Sequence, residues 1–311
     1  MALTRSDIPT LLLPGLRAEF AAAYQNVMDN SVAERLATVI NTTQPVQKYA
    51  WLGSPPAMRE FLDERTPQGL SAFATSIEDK TFEATIAVDR KAIEDDQLDL
   101  IRLRVRDLAT RVAAHRHQLV VQGLVAGATA LGHDGVSFFS SSHPVNGAAV
   151  SNRSAAALSA EAITAGISAM MLVPDDAGVP LGTMPDTLLV GPALQWTAME
   201  LVESPVVVYA GNAVDTAAST PYKNMLQGRL NVVVSPFLNG SSANHWFLLD
   251  SSRPIRSMIL QQRSDVPVEF DALDQSSGAE SAFMRDRFYY GVRGRYNVGY
   301  GLWQTAFGGF S

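Results

Sequence analysis

The stretch from Glu94 to Gly127 constrains this chain more than any other, because it reads as one uninterrupted helix among short strands and loops. Ile101, Val105, Leu108, Val112 and Leu119 recur at helical intervals, and His115 fills the vacant phase between the last two. Arg102, Arg104, Arg106, Asp107, Arg111 and Arg116 fall largely off that stripe, which predicts a wet opposite face. Asp95 and Asp96 offer N-cap oxygens and favourable charge at the positive end of the helix dipole, and Gly123 and Gly127 are the expected stops. At about 1.5 Å per residue such a helix runs roughly 45 Å, well beyond the usual ~11 to 12 residues of a globular helix. It is a strut, and a strut of that length needs packing along its sides from its own chain or from neighbouring copies.

Composition narrows what the strut belongs to. A chain of 311 residues with 47% hydrophobic residues has material for one large or two modest domains. Cysteine is absent, which removes disulfides, thiolate metal sites and cysteine nucleophiles and fits a reducing compartment. A formal charge of -7 argues against a free-standing nucleic-acid binder, whose affinity rests on phosphate neutralisation. The N-terminus carries an early acid, Asp7, and Leu11 to Leu13 is stopped at Pro14, so neither a signal peptide nor a membrane span is expected and the protein is read as soluble and made inside the cell.

Leu16 to Ile40 has an amphipathic pattern that predicts one or two helices in an N-terminal arm. Gln44 to Trp51 is read as extended and Thr81 to Val88 alternates cleanly, which predicts two antiparallel strands. Between them lie Gly53, Pro55, Pro56, Pro67 and Gly69, with a short helix expected over Met58 to Arg65. So long a connection has a job outside its own domain, which makes it a projecting arm. A domain junction is expected in the turn-rich stretch from Gly132 to Gly147. Beyond it come a helix over Leu158 to Leu172, a strand over Thr187 to Val190, and a helix opened by Pro192. Further strands are expected at Val206 to Tyr209, Asn231 to Ser235 and His245 to Leu249, the last two joined as a hairpin across Asn239-Gly240. From Phe288 to Leu302 alternate residues are aromatic or aliphatic, interrupted at Gly294, which predicts a long strand returning towards the long helix. Trp303 to Phe310 is too apolar for a frayed end and is expected to be packed or at an interface.

The candidates for chemistry are weak. His115 and His117 point away from each other on a helix and cannot share a metal as an i, i+4 pair would. His133, His143 and His245 have no ligand spacing around them. Glu94-Asp95-Asp96 is explained by capping, and Asp63-Glu64-Arg65 by a solvated ion-pair edge that, in a projecting loop, reaches a neighbour. Nucleophile elbow, P-loop and dinucleotide fingerprint are all missing, so no catalytic, metal or cofactor residue is expected.

The order of parts resembles the major capsid proteins of Mu-like tailed phages, which carry the HK97-type shell fold. The resemblance lies in Trp51-Leu-Gly53, Met58-Arg-Glu60, Glu64-Arg65, Lys80 to Val88, Ile93 to Asp96 and His115 to Leu119. It continues through Phe138-Phe139, His143-Pro144, Trp246 to Asp250, Tyr290-Gly-Val292, Arg295 and Gly299-Tyr-Gly301. It implies an α+β fold, with an N-terminal arm at residues 1–41, an extended loop at 42–92, and a peripheral domain with its spine helix at 93–153. An axial domain at 154–263 and return strands of the peripheral domain at 264–311 complete the division. It further implies a non-enzymatic subunit without cofactors that self-assembles as hexamers and pentamers into an icosahedral head around double-stranded DNA, in the virion and built in the bacterial host cytoplasm. The partners implied are a separate scaffold or protease protein, a portal protein and a decoration or minor capsid protein, with no membrane. Pro55, Pro56, Arg59, Glu60, Asp63, Glu64, Arg65, Gln68 and Gly69, in the extended loop, are the expected inter-subunit contacts. Two rivals stand beside this reading: an encapsulin-like cellular nanocompartment shell, and a cytosolic hydrolase.

Overall fold

In the computed structural model, which describes residues 8–29, 31–52, 72–91, 98–175, 178–208, 221–265, 268–272 and 284–311, two helices lead into the first strand. Helix α1 (Ile8–Asp29) runs through Pro14 rather than stopping there, and α2 (Val32–Leu36) follows. The amphipathic pattern does not stay helical to Ile40: Ala37–Thr42 is strand β1, where Val39 and Ile40 fit the pleat that β-branched residues favour. Strand β2 (Val46–Leu52) pairs antiparallel with β3 (Ala72–Glu78), and β4 (Lys80–Asp89) follows after a break at Asp79. The expected pairing of Gln44–Trp51 with Thr81–Val88 is therefore wrong. The nearer strand Ala72–Glu78, whose Phe73, Thr75 and Ile77 alternate, takes that place and leaves β4 for a different partner.

The strut is helix α3 (Leu98–Ala126), 29 residues long; its expected caps Asp95 and Asp96 lie outside the described residues. Ile101, Val105, Leu108 and Val112 are buried as the stripe predicts, whereas beyond His115 the burial passes to Val120, Val121 and Leu124. Gly123 is not a stop. A Cβ there would lie 2.4 Å from Met258 Cε, so the glycine lets the helix approach a strand, and Gly127 follows the helix end.

Strands β5 (His143–Val145) and β6 (Ala148–Val150) form a hairpin whose turn residues Asn146 and Gly147 both have positive φ, the geometry of a two-residue type I′ turn. After β7 (Arg153–Ser154) come α4 (Ala160–Leu172), β8 (Thr187–Val190), α5 (Gln195–Glu203), β9 (Val206–Val208), β10 (Pro221–Lys223), β11 (Asn231–Val234) and β12 (Trp246–Leu249). Strands β13 (Met258–Arg263), β14 (Glu269–Ala272), β15 (Arg287–Tyr300) and β16 (Ala306–Gly309) close the chain.

Two sheets organise these strands. In the first, the 14-residue β15 pairs along one edge with β13 and β14 and along the other with β4, while β1 adds in parallel to β13. The long C-terminal strand thus returns to the long helix as expected: Phe288, Tyr290, Val292 and Tyr296 are buried, and Phe288, Tyr290 and Val292 share one apolar cluster with Ile101, Val105, Leu108 and Val112. The second sheet has the order β11-β8-β12-β16-β7. Its centre reads Leu188-Leu-Val190 and Trp246-Phe-Leu-Leu249, apolar throughout because both faces are covered. On one face lie α4 and α5; on the other, Leu189, Phe247 and Leu249 join the end of α3 and part of the first sheet in a shared core. The expected hairpin across Asn239-Gly240 is not formed. Gly240 has φ +57 but Asn239 has φ -142, so a type I′ turn is ruled out, and β11 and β12 lie on opposite edges of β8. Ala306–Gly309 is packed as expected, although in the second sheet, and Met258–Arg263 belongs to the first.

Candidate functional site

Among the described residues, strands β2 and β3 pair only with each other, and their attachment to the body is concentrated at their base. There Ile77 packs on Ile259 of β13 with Ile40, Tyr49 and Leu302 around it. Tyr49 donates its hydroxyl to Gln261 Oε1 at 2.9 Å, and burial pushes its phenol up to about 12, so it remains a donor. Asn297 Nδ2 donates to the Glu78 carbonyl at 2.6 Å. Gly299 makes this seat possible: a Cβ on it would meet Ile77 Cδ1 at 2.3 Å. At the break between β3 and β4, the buried Asp79 faces Arg295 Nε at 3.0 Å and Arg263 Nη1 at 3.8 Å. Arg263 also forks onto Asp265 across the surface, and that hydrogen bond holds the Asp265 carboxyl down at about 2. The hairpin therefore leaves the body from a seat clamped by apolar contact on one side and by charge on the other.

The nine residues expected to touch neighbours, from Pro55 to Gly69, belong to the connection between β2 and β3 and lie outside the described residues. So do Glu94, Asp95 and Asp96.

A second anchor was not expected. Arg116, placed by its charge on the wet face of α3, is 2% exposed. Its guanidinium donates to Tyr24 Oη at 2.9 Å and to Gln262 Oε1 at 2.6 Å, with Glu34 at 3.9 Å and the Tyr296 ring at 5.8 Å. Gln262 in turn donates to Asn41 at 2.6 Å. One side chain of the spine thus ties α1, α2, β1, β13 and β15 together beside a recess of about 380 Å³. Four residues separate Arg116 from Val112 and four from Val120, so its phase is that of the buried stripe; the charge concealed it.

The histidines serve packing. His115 Nδ1 lies 2.9 Å from Tyr296 Oη with its ring edge-on to Phe82, and His117 sits edge-on to Phe237. Burial holds both imidazoles below their usual range. His143, fully buried, stacks on Trp303 at 3.8 Å with Nδ1 on Asp134 and Nε2 on Asn152. Asn152 is oriented by its own donors, which reach the Phe138 and Trp303 carbonyls, so its oxygen faces the ring. Burial alone would raise the Asp134 carboxyl, but the hydrogen bond and charge of His143 outweigh it and hold it below the usual range. This cluster welds the turn after α3 to β5, β7 and the approach to β16. Its sequence signal was Asn146-Gly147, a hairpin dipeptide next to His143.

The geometry offers anchored attachments, buried staples and a self-paired hairpin. The residues matched by known proteins agree with that reading. The sequence matches the family of Mu-like prophage major head subunits, gpT, over residues 10–157, 149–238 and 237–310. It is 26% identical over 271 residues to the FluMu prophage major head subunit of Haemophilus influenzae, covering 87% of this chain and 63% of that protein. It is 24% identical over 307 residues to the major capsid protein of Escherichia phage Mu, covering 98% of this chain and 74% of that one. The chain therefore spans less than two thirds of the Haemophilus relative. Among solved structures, the procapsid of bacteriophage JBD30 superimposes with a TM-score of 0.56 at 24% identity, over 97% of this chain and 75% of that one. A virus-like particle from Pyrococcus furiosus does so with 0.55 at 9% identity, over 95% and 98%. On these grounds the α+β fold is the HK97-type shell fold, and the chain belongs to the family of Mu-like prophage major head subunits, a structural family and not an enzymatic one.

Proposed function

We propose that this chain is the tile of a phage head, self-assembling as hexamers and pentamers into an icosahedral shell around double-stranded DNA. The observation that carries the reading is the β2-β3 hairpin, anchored at its base and paired with no other strand among the described residues. A two-stranded ribbon is marginal on its own, so its far part needs a surface from elsewhere. A neighbouring tile supplies one, with Pro55, Pro56, Arg59, Glu60, Asp63, Glu64, Arg65, Gln68 and Gly69 as the contact. In this reading residues 42–92 are the extended loop and 1–41 the arm. The first sheet with α3 is the core of a peripheral domain, and the second sheet that of an axial domain. A scaffold or protease protein, a portal and a decoration or minor capsid protein are the partners such a head requires, with assembly in the host cytoplasm. The acidic balance suits the reading, since a lattice gripping DNA through many phosphate contacts would hinder filling and release.

Electron microscopy of the expressed protein with its scaffold tests this. Closed shells are expected; a small, concentration-independent oligomer would overturn it. A nanocompartment shell shares the fold, and particles purified with an enzyme cargo and no portal vertex would favour that rival.

A further inference from the structure

Helix α5 presents an acidic face around an unshielded tryptophan. Trp196 is 74% exposed, and Glu200 and Glu203, four and seven residues on, are exposed on the same face, while Ala198 and Val202 are buried against the sheet. Tryptophan left so bare is uncommon on a protein surface and common at the centre of interfaces.

The complement lies on the same molecule. The outer side of α4 and the turn after β10 enclose a groove of about 710 Å³. It is lined by Ile167, Met171 and Met225, the last 80% exposed, together with Lys223 and Arg229. Neither these two cations nor Glu200 and Glu203 enter an ion pair among the described residues. Methionines adapt to the shape of an aromatic ring and make favourable sulfur contacts with it. A methionine-lined groove that also carries two cations is thus matched, in polarity and in sign, by an aromatic knob flanked by acids.

The knob cannot serve its own groove. Asn224 Nδ2 donates at 2.8 Å to both the Leu201 and Ser204 carbonyls, which fixes the turn at the C-terminal end of α5, whereas Trp196 is at the other end and points away from the sheet. We propose that the Trp196 face of one copy docks into the groove between Met171 and Met225 of a second copy, with Glu200 and Glu203 meeting Lys223 and Arg229. The two patches are different surfaces, so the contact is heterologous and passes from copy to copy round a ring. It rests on the shell reading and adds the specific contact.

Charge swapping tests it. Glu200→Lys with Glu203→Lys, and separately Lys223→Glu with Arg229→Glu, are each expected to weaken subunit association at least roughly tenfold, since like charges then face each other. All four substitutions in one chain are expected to restore it. Because the chain has no cysteine, a mixture of Thr197→Cys and Ser168→Cys subunits, which keep Trp196 and both methionines, gives an independent readout with a short bismaleimide, with cross-linked mixed dimers expected and none from either variant alone. Wild-type association by both pair variants, or failure of the four-fold swap in chains that melt like wild type, would overturn the contact, as would the absence of mixed dimers. Failure of the wild-type chain to form particles would instead overturn the shell reading.

Discussion

Replacing Arg116 by methionine keeps most of the volume and removes the fork that joins five elements. Two hydrogen bonds from a charged donor to oxygen are lost, to Tyr24 and to Gln262, besides a weak one to Met28 Sδ; each of the two to oxygen is worth about 1.5 kcal/mol at the low end for charged groups. The low end is appropriate because the recess beside them admits water to the abandoned oxygens, and because Glu34, 39% exposed, can resolvate. Against that loss stands the removed desolvation of the cation, several kcal/mol at full burial but about 1 kcal/mol for a guanidinium that borders the recess. The net is about 2 kcal/mol. Arg116→Ala adds a cavity and reaches about 4 kcal/mol. With an unfolding entropy near 2.1 cal/mol/K per residue, these become Tm losses of roughly 3 °C and 6 °C for a chain of this length that melts as one unit. Calorimetry on unassembled subunits reads both. If the methionine variant melts at or above the wild-type temperature, the fork does not hold the spine to the arm and the reasoning fails.

Deleting Pro55 to Gly69 is expected to leave subunits folded but unable to build stable shells; wild-type particles in micrographs would refute the clasp. Gly299→Val pushes on Ile77 and should lower stability by about 1–3 kcal/mol, with Ile77→Ala in the same chain recovering part of it, as denaturant midpoints will show. Burial depresses the imidazoles of His115 and His117, so their contribution is complete above about pH 6.5 and is lost as pH falls below it; Tm should drop between pH 7 and pH 5, less steeply in His117→Leu. The Arg263 contact holds Asp265 near 2, so a second loss should appear only between about pH 4 and pH 2, and Asp265→Asn should remove it.

Periodicity carried the elements whose burial is one-sided. The first half of α3 and the alternating run of β15 each bury one face, so their stripes were plain in the residues, and the return of β15 to the helix followed from both. Past His115 the same stripe runs on through Arg116, Val120, Val121 and Leu124 with Gln122 and Ala126 exposed, but a charge at its centre broke the apolar pattern in the residues. Strand partnership was the weaker inference because alternation names a face and never a neighbour. Thr81–Val88 was correctly extended, yet its partner lay two hundred residues on rather than at Gln44–Trp51. Polar residues in the core were hidden by their type: Arg116 shares the phase of the buried stripe and Arg104 does not, but a charge argues against burial at either position.

The fourth strand of the second sheet, β16, fills the place between β12 and β7, and β7 has no other partner strand among the described residues. During translation β7, β8, β11 and β12 all leave the ribosome first and must wait for it. A nascent chain therefore carries an open slot in the sheet beneath α4 until Ala306–Gly309 arrive. Long-range closure of this kind is slow to form. The surfaces built on that sheet are complete only once Ala306–Gly309 have joined it.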